Sequence, residues 1–215
     1  MTTLTMIALL AMVFAMAVGS ANGNGGSQGL AHALGVLRTG SPADKLKALE
    51  LLAKLGDMQV MPTLVQALRD DDLGVRAGAQ ETMWAIWLQS GNDAIDALMV
   101  EGIRLMDRQR YPEAVEVFSR MIGNLPSFPE AYNKRATVYY LMQEFEQSIA
   151  DIHKTLELNP VHFGALSGMG LCYLGLNEPR QALAWFERAV AINPNLDTIQ
   201  HYIQQIQAYL RNQSF

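Results

Sequence analysis

The sequence predicts an all-α protein, a right-handed α-solenoid of stacked helical hairpins. Three observations predict it. Apolar residues recur at three and four along most of the chain, with almost no strand-like alternation. Residues 95–197 repeat themselves at a period of 34 residues without a gap. Helix-starting and helix-stopping residues separate the apolar runs.

The bulk numbers narrow the function classes. The 215 residues are 50% hydrophobic and 17% charged, below the roughly 25% charged share of an average domain. The net charge of −5 offers no basic field for nucleic acid. Cys172 is the one cysteine, which excludes an internal disulfide, an all-cysteine zinc site and CxxC redox chemistry.

The chain opens with residues 1–21, a hydrophobic signal or anchor segment. Leu4 to Val18 is an almost unbroken apolar run, shorter than the ~20 residues that span a bilayer comfortably. Its length suits the core of an export signal, yet no charged residue precedes Arg38. A cleaved signal, a membrane anchor and the remnant of a longer targeting region all remain open. The composition of residues 22–29, "NGNGGSQG", predicts a flexible linker.

Residues 30–91 are helical with spacing of their own. In "SPADKLKALELLAKLG", Ser41 is the N-cap, Pro42 the first helical residue and Gly56 the stop. A further helix ends near Arg69, and another begins near Leu73 behind three aspartates. Trp84 and Trp87 lie one turn apart and read as core at the junction with the repeats, which predicts one continuous rod.

Residues 92–197 hold three units. Leu98, Tyr132 and Leu166 coincide in the 34-residue frame, as do Gly102, Ala136 and Gly170. Ala114, Ser148 and Ala182 follow, then Phe118, Ile152 and Phe186, and finally Pro126, Pro160 and Pro194. Small residues let two helices cross closely, and large ones a turn away fill the remaining space. The prolines end each second helix. Residues 198–215 form a capping helix whose stripe is Ile199, Ile203, Ile206 and Leu210.

The gapless 34-residue pattern resembles the tetratricopeptide repeat (TPR). "PTLVQAL" followed by "DDDLGVRAGA" resembles a HEAT repeat. "YNKRATVYYLMQEFEQSIADI" with "HFGALSGMG" is similar to exported TPR proteins of bacteria and to some plastid-targeted ones. The resemblance implies a concave groove lined by the first helix of each unit. Its rows here are Met99, Asn133 and Ser167, then Ile103, Thr137 and Leu171, then Met106, Tyr140 and Leu174. The first two rows hold no Lys or Arg, which argues against the TPR subclass that grips acidic chaperone tails. The groove suits an apolar or amphipathic segment of a protein or peptide.

Catalytic chemistry finds no motif. His32, His153, His162 and His201 are scattered without ligand spacing, and there is no P-loop or GxSxG. "GALSGMG" lacks the preceding strand that a phosphate cradle needs. Cys172 reads as a small buried hydrophobe. No enzyme activity, cofactor or metal is expected. Arg135 falls where the pattern expects an aliphatic residue, and Glu101 occupies the equivalent place one unit earlier. The expectation is a Glu101–Arg135 ion pair across the unit boundary, with Asp151 as a second acceptor.

The functional expectation is a non-enzymatic scaffold, exported or membrane-anchored through residues 4–18. The alternatives are an anchored assembly factor in an organelle such as the chloroplast, and an accessory subunit of an enzyme.

Overall fold

The computed structural model describes residues 23–212. Eleven α-helices and one 3₁₀ turn make up the described part, with no strand among these residues. The first four helices are α1 (Gly23–Thr39), α2 (Pro42–Leu55), α3 (Met61–Ala67) and α4 (Leu73–Trp87), with the 3₁₀ turn at Met58–Val60. Three hairpins follow: α5 (Asp93–Asp107) with α6 (Tyr111–Asn124), α7 (Pro129–Leu141) with α8 (Phe145–Leu158), and α9 (Phe163–Gly175) with α10 (Pro179–Ile192). α11 (Asp197–Asn212) packs on α10. The apolar run at Leu4–Val18 lies outside the described residues. Among the described residues, no helix is long and apolar enough to cross a membrane.

Local signals set the boundaries. Ser41 accepts from the Asp44 amide at the start of α2, and Asp72 accepts from the Val75 amide at the start of α4. Asn92 does the same for α5 through the amides of Ala94 and Ile95. Such caps satisfy amides that the first turn of a helix leaves open. Between the two helices of each hairpin one residue takes positive φ: Gln109 at 58°, Gln143 at 63° and Asn177 at 58°. The next amide then reaches back, from Arg110 to Leu105, Glu144 to Tyr139 and Glu178 to Tyr173. This is a Schellman closure, so the 34-residue period extends into the backbone turns. The stretch expected to be a linker, residues 22–29, is helical from Gly23 onward. Leu30, Ala33, Leu34 and Leu37 anchor that helix on the core, and it continues through glycines that cost up to about 1 kcal/mol each.

Each hairpin closes on one small–large pair. A Cβ on Gly102 would lie 2.5 Å from Phe118 Cζ, and one on Gly170 would lie 2.4 Å from Phe186 Cδ1. The middle hairpin places Ala136 and the smaller Ile152 at the matching positions, both in one core cluster. Two solutions to one packing problem thus occur in a single chain. Gly170→Ala is expected to destabilise by about 1–3 kcal/mol through overpacking, less the helix preference of alanine. Adding Phe186→Ile should recover part of that loss, as the middle hairpin does. A denaturation double-mutant cycle with no favourable coupling would contradict this account.

The expected rod is not what forms. Helices α1–α4 fold back and share a core cluster with Val161, Phe163, Ile192 and Leu196. In this cluster their contact is therefore with the third hairpin and the segments flanking it, well beyond their sequence neighbour. Arg69 donates to the carbonyls of Ile192 (3.2 Å) and Ala191 at the end of α10, where a cation suits the negative end of the helix dipole. Asn195 Nδ2 donates to Leu68 O (2.8 Å), and Asn193 Nδ2 donates to Gln80 Oε1 (2.6 Å).

Candidate partner-binding groove

The first helices of the three hairpins are neighbours: α5 touches α7, and α7 touches α9. Their shared face carries the nine groove residues in two different states. Met99 and Asn133 are buried, at 2% and 8% exposure, and are not offered to a ligand. Met99 belongs to the first hairpin's core with Phe118 and Met121. Asn133 turns its amide inward, donating to Glu130 Oε1 at 3.0 Å. Ser167 is half-buried and donates to Phe163 O. The other two rows are half-buried as well. Ile103 and Met106 pack on the first hairpin's core. Thr137 donates to Asn133 O (2.9 Å), and Tyr140 lies 5.9 Å from the Phe145 ring. Burial pushes the Tyr140 phenol up, with Tyr202 nearby adding to the effect. Leu171 and Leu174 join the cluster built on α11.

The N-terminal end of this face is covered by α4. Along α4 and the segment after it, successive residues meet the hairpins in turn. Gln80 meets Asn193 after α10, Trp84 packs edge-on against Phe163 at the start of α9, and Trp87 stacks on His162 with 4.3 Å between ring centroids. Ser90 then donates to Asp96 in the first turn of α5. Trp84 also reaches the groove helices: a Cβ on Gly164 would lie 2.6 Å from its Cη2, and Lys134 Nζ stands 5.7 Å from its ring centre. Lys134, Thr137 and Leu141 form one stripe of α7, and Gly164, Gly168 and Leu171 one stripe of α9. The tryptophans therefore sit at the head of the surface that Thr137 and Leu171 continue.

Beneath them Glu130 is fully buried. Its Oε1 receives Asn133 and Lys134 Nζ (3.1 Å), and its Oε2 receives His162 Nε2 (2.8 Å). His162 Nδ1 accepts the Ala165 amide at the start of α9. The ring proton therefore sits on Nε2 and is donated to the carboxylate. Burial alone would raise the Glu130 carboxyl, but Lys134, His162 and Asn133 outweigh it and hold the group at about 2. None of this was read from the sequence. Asp96 and Glu130 occupy equivalent first-turn places, where an acid is an ordinary partner for a helix N-terminus. Nothing in the spacing pairs Glu130 with His162, 32 residues on.

Of the two acceptors expected for Arg135, the second, Asp151, is the one engaged. Arg135 forms a fork on Asp151, 2.7 Å from each carboxylate oxygen, and also donates to Ser119 Oγ at 2.9 Å. Glu101 is exposed and takes no part. The α7–α8 pairing within one hairpin brings Asp151 under Arg135, whereas Glu101 points outward from α5. Arg135 thus ties α7 both to its own hairpin and to α6 of the preceding one. The Asp151 hydrogen bonds raise the Arg135 guanidinium against the opposing effect of burial. Arg135→Ala is expected to cost about 1.5–3 kcal/mol, the range for hydrogen bonds to a charged group. Glu101→Ala should stay within about 0.5 kcal/mol. Equal losses in urea denaturation would refute the assignment.

Residues 164–196 match the family model of the tetratricopeptide repeat. The third hairpin is thus similar to a tetratricopeptide repeat. A TPR repeat-containing protein of Rhizobium etli is 31% identical over 120 residues, which cover 56% of this chain and 59% of that protein. Hsp70-Hsp90 organizing protein 2 of Arabidopsis thaliana is 27% identical over 110 residues, covering 49% of this chain and 19% of its own length. The chain therefore spans about three-fifths of the first relative and about a fifth of the second. Among solved structures, the first TPR of Spaghetti (RPAP3) bound to the HSP90 peptide SRMEEVD aligns with a TM-score of 0.53 at 21% identity, over 54% of this chain and 93% of that one. The Sgt2 TPR domain of Aspergillus fumigatus aligns at 0.54 and 19% identity, over 57% of this chain and 83% of that one. These likenesses show the fold over that part of the chain, a solenoid of helical hairpins.

Proposed function

We propose that the chain is a non-enzymatic scaffold that holds an apolar or amphipathic segment of a protein partner against the C-terminal halves of α5, α7 and α9. The observation that carries this reading is the row Ile103, Met106, Tyr140, Leu171 and Leu174, half-buried side chains with no Lys, Arg, Asp or Glu among them. Such a surface gains free energy by burying another apolar surface, while Thr137 supplies a hydroxyl beside it. The TPR domain of Spaghetti, which shares this fold, holds a chaperone peptide, and this supports a polypeptide as ligand. The apolar run Leu4–Val18 supports a place of work at or beyond a membrane, where the scaffold would serve complex assembly. Fractionation of the tagged full chain tests that placement.

The groove is tested with the full chain as bait, comparing wild type with Tyr140→Lys and with Arg120→Ala on the outer helix α6. A charge in the row is expected to lower recovery of a groove partner about tenfold, equivalent to roughly 1.4 kcal/mol. Arg120→Ala should leave recovery unchanged. A partner set indifferent to Tyr140→Lys would overturn the reading.

A further inference from the structure

We propose that α4 and the Glu130 carboxylate together occupy, in cis, the end of the TPR array where an anionic peptide terminus would be received, so that the groove admits only an uncharged apolar stretch from within a partner chain. This inference rests on the groove reading above and specifies what the groove refuses.

The N-terminal ends of α7 and α9 converge with Lys134 at the head of the groove face. Helix N-termini and a nearby ammonium make a favourable setting for a carboxylate. Here that setting already contains one. Glu130 lies in the first turn of α7 and accepts from Asn133, Lys134 and His162. All three donors therefore already serve a residue of the chain itself. The lid over them is apolar and continuous: Trp84 stands against Gly164 and Lys134, and Trp87 stacks on His162. Gly164 has no side chain, so the indole approaches the start of α9 more closely than a Cβ would allow. Lys134 keeps only 14% of its side chain exposed. An incoming carboxylate would have to displace the indole and then compete with Glu130 for the ammonium. Past Thr137 the face continues in the half-buried row Ile103, Met106, Tyr140, Leu171 and Leu174.

Charge complementarity therefore selects the occupant. With its cation neutralised internally, the groove has nothing to compensate the desolvation of an acidic tail. It retains apolar side chains that suit an uncharged segment. Such a segment needs no free terminus, so the interior of a partner sequence can supply it.

The test uses the full chain and a fluorescein-labelled SRMEEVD peptide with a free C-terminal carboxylate, followed by anisotropy. Wild type and Lys134→Ala are expected to be indistinguishable, without saturation up to about 1 mM, a bound weaker than roughly −4 kcal/mol of binding. Trp84→Ala with Glu130→Gln uncovers Lys134 and Gly164 and releases the ammonium from its internal carboxylate, and this pair is expected to strengthen binding at least about tenfold, with no gain for the same peptide amidated at its C-terminus. Saturable wild-type binding that Lys134→Ala weakens about tenfold would overturn the proposal, and so would a folded double variant that gains nothing. If the double variant does not fold, as judged by circular dichroism, the comparison of wild type with Lys134→Ala decides alone. Failure of the Tyr140→Lys experiment would count against the groove itself, while refusal of the acidic peptide would still be read here.

Discussion

Glu130→Ala is expected to destabilise the protein by about 3–5 kcal/mol, the range for removing one partner of a buried charged network. Alanine would leave the His162 Nε2–H and the Asn133 amide without their acceptor in a closed interior. The pH dependence gives a sharper signature. The carboxyl sits at about 2 in the fold against an ordinary value of 4.5. A depressed folded-state value means the unfolded chain binds the proton more readily. The stabilisation is complete above about 4.5 and is lost as pH falls towards 2. At about 1.4 kcal/mol per pKa unit, this amounts to something on the order of 3 kcal/mol. Asp70 is also held low, because Lys45 and the Asp72 amide outweigh its burial, so the wild-type curve carries more than one contribution. The difference between wild type and Glu130→Gln isolates the residue in question. Urea denaturation at pH 5 and pH 3 should show wild type losing more stability than the glutamine variant. Parallel losses would refute a buried, ionised Glu130.

Trp87→Ala should cost a comparable amount, about 3–5 kcal/mol, typical of truncating a buried tryptophan. The ring is 4% exposed, stacked on His162 and 5.0 Å from Phe163. It borders a cavity of about 210 Å³ between α4 and the turns that precede α7 and α9, lined also by Met58, Leu125, Phe128 and Asn159. Removing the indole would enlarge that space, and the prolines Pro129 and Pro160 beside it limit how far the turns can close in. The loss should be felt far from the substitution. Hydrogen exchange at Ala165 and Leu166, whose amides bond to the His162 ring and carbonyl, is expected to accelerate along with that of α4. Faster exchange confined to α4 would mean the lid is merely seated on the array and does not support it.

The hairpins were legible because each carries its own instructions. Gly102 with Phe118 and Gly170 with Phe186 are local pairs at fixed spacing, and a period of 34 residues displays them three times. The return of α1–α4 was not legible. It is written in Arg69, Gln80, Asn193 and Asn195, residues that elsewhere face water. Trp84 and Trp87 announced burial but not against what, since an indole packs as well on a neighbouring unit as on a distant one. The Arg135 anomaly pointed to an ion pair correctly. Of the two acceptors expected, repeat equivalence favoured Glu101, whereas hairpin geometry presents the second, Asp151. Half-burial of Tyr140 or Leu171 follows from helix spacing, but the closure of Asn133 beneath α4 does not.

Solenoids ordinarily behave as one-dimensional chains, in which each unit is stabilised by its immediate neighbours alone. Contacts such as Arg69 to Ile192 and Leu68 to Asn195 join positions 123 and 127 residues apart. They turn the row of units into a closed circuit. Fraying that starts at α11, beyond Asn195, must break the clasp before it reaches the hairpins, so these should melt together instead of peeling away one by one. The same clasp slows assembly: a long loop has to be closed before its contacts contribute, which makes the N-terminal helices, although synthesised first, the last to find their place.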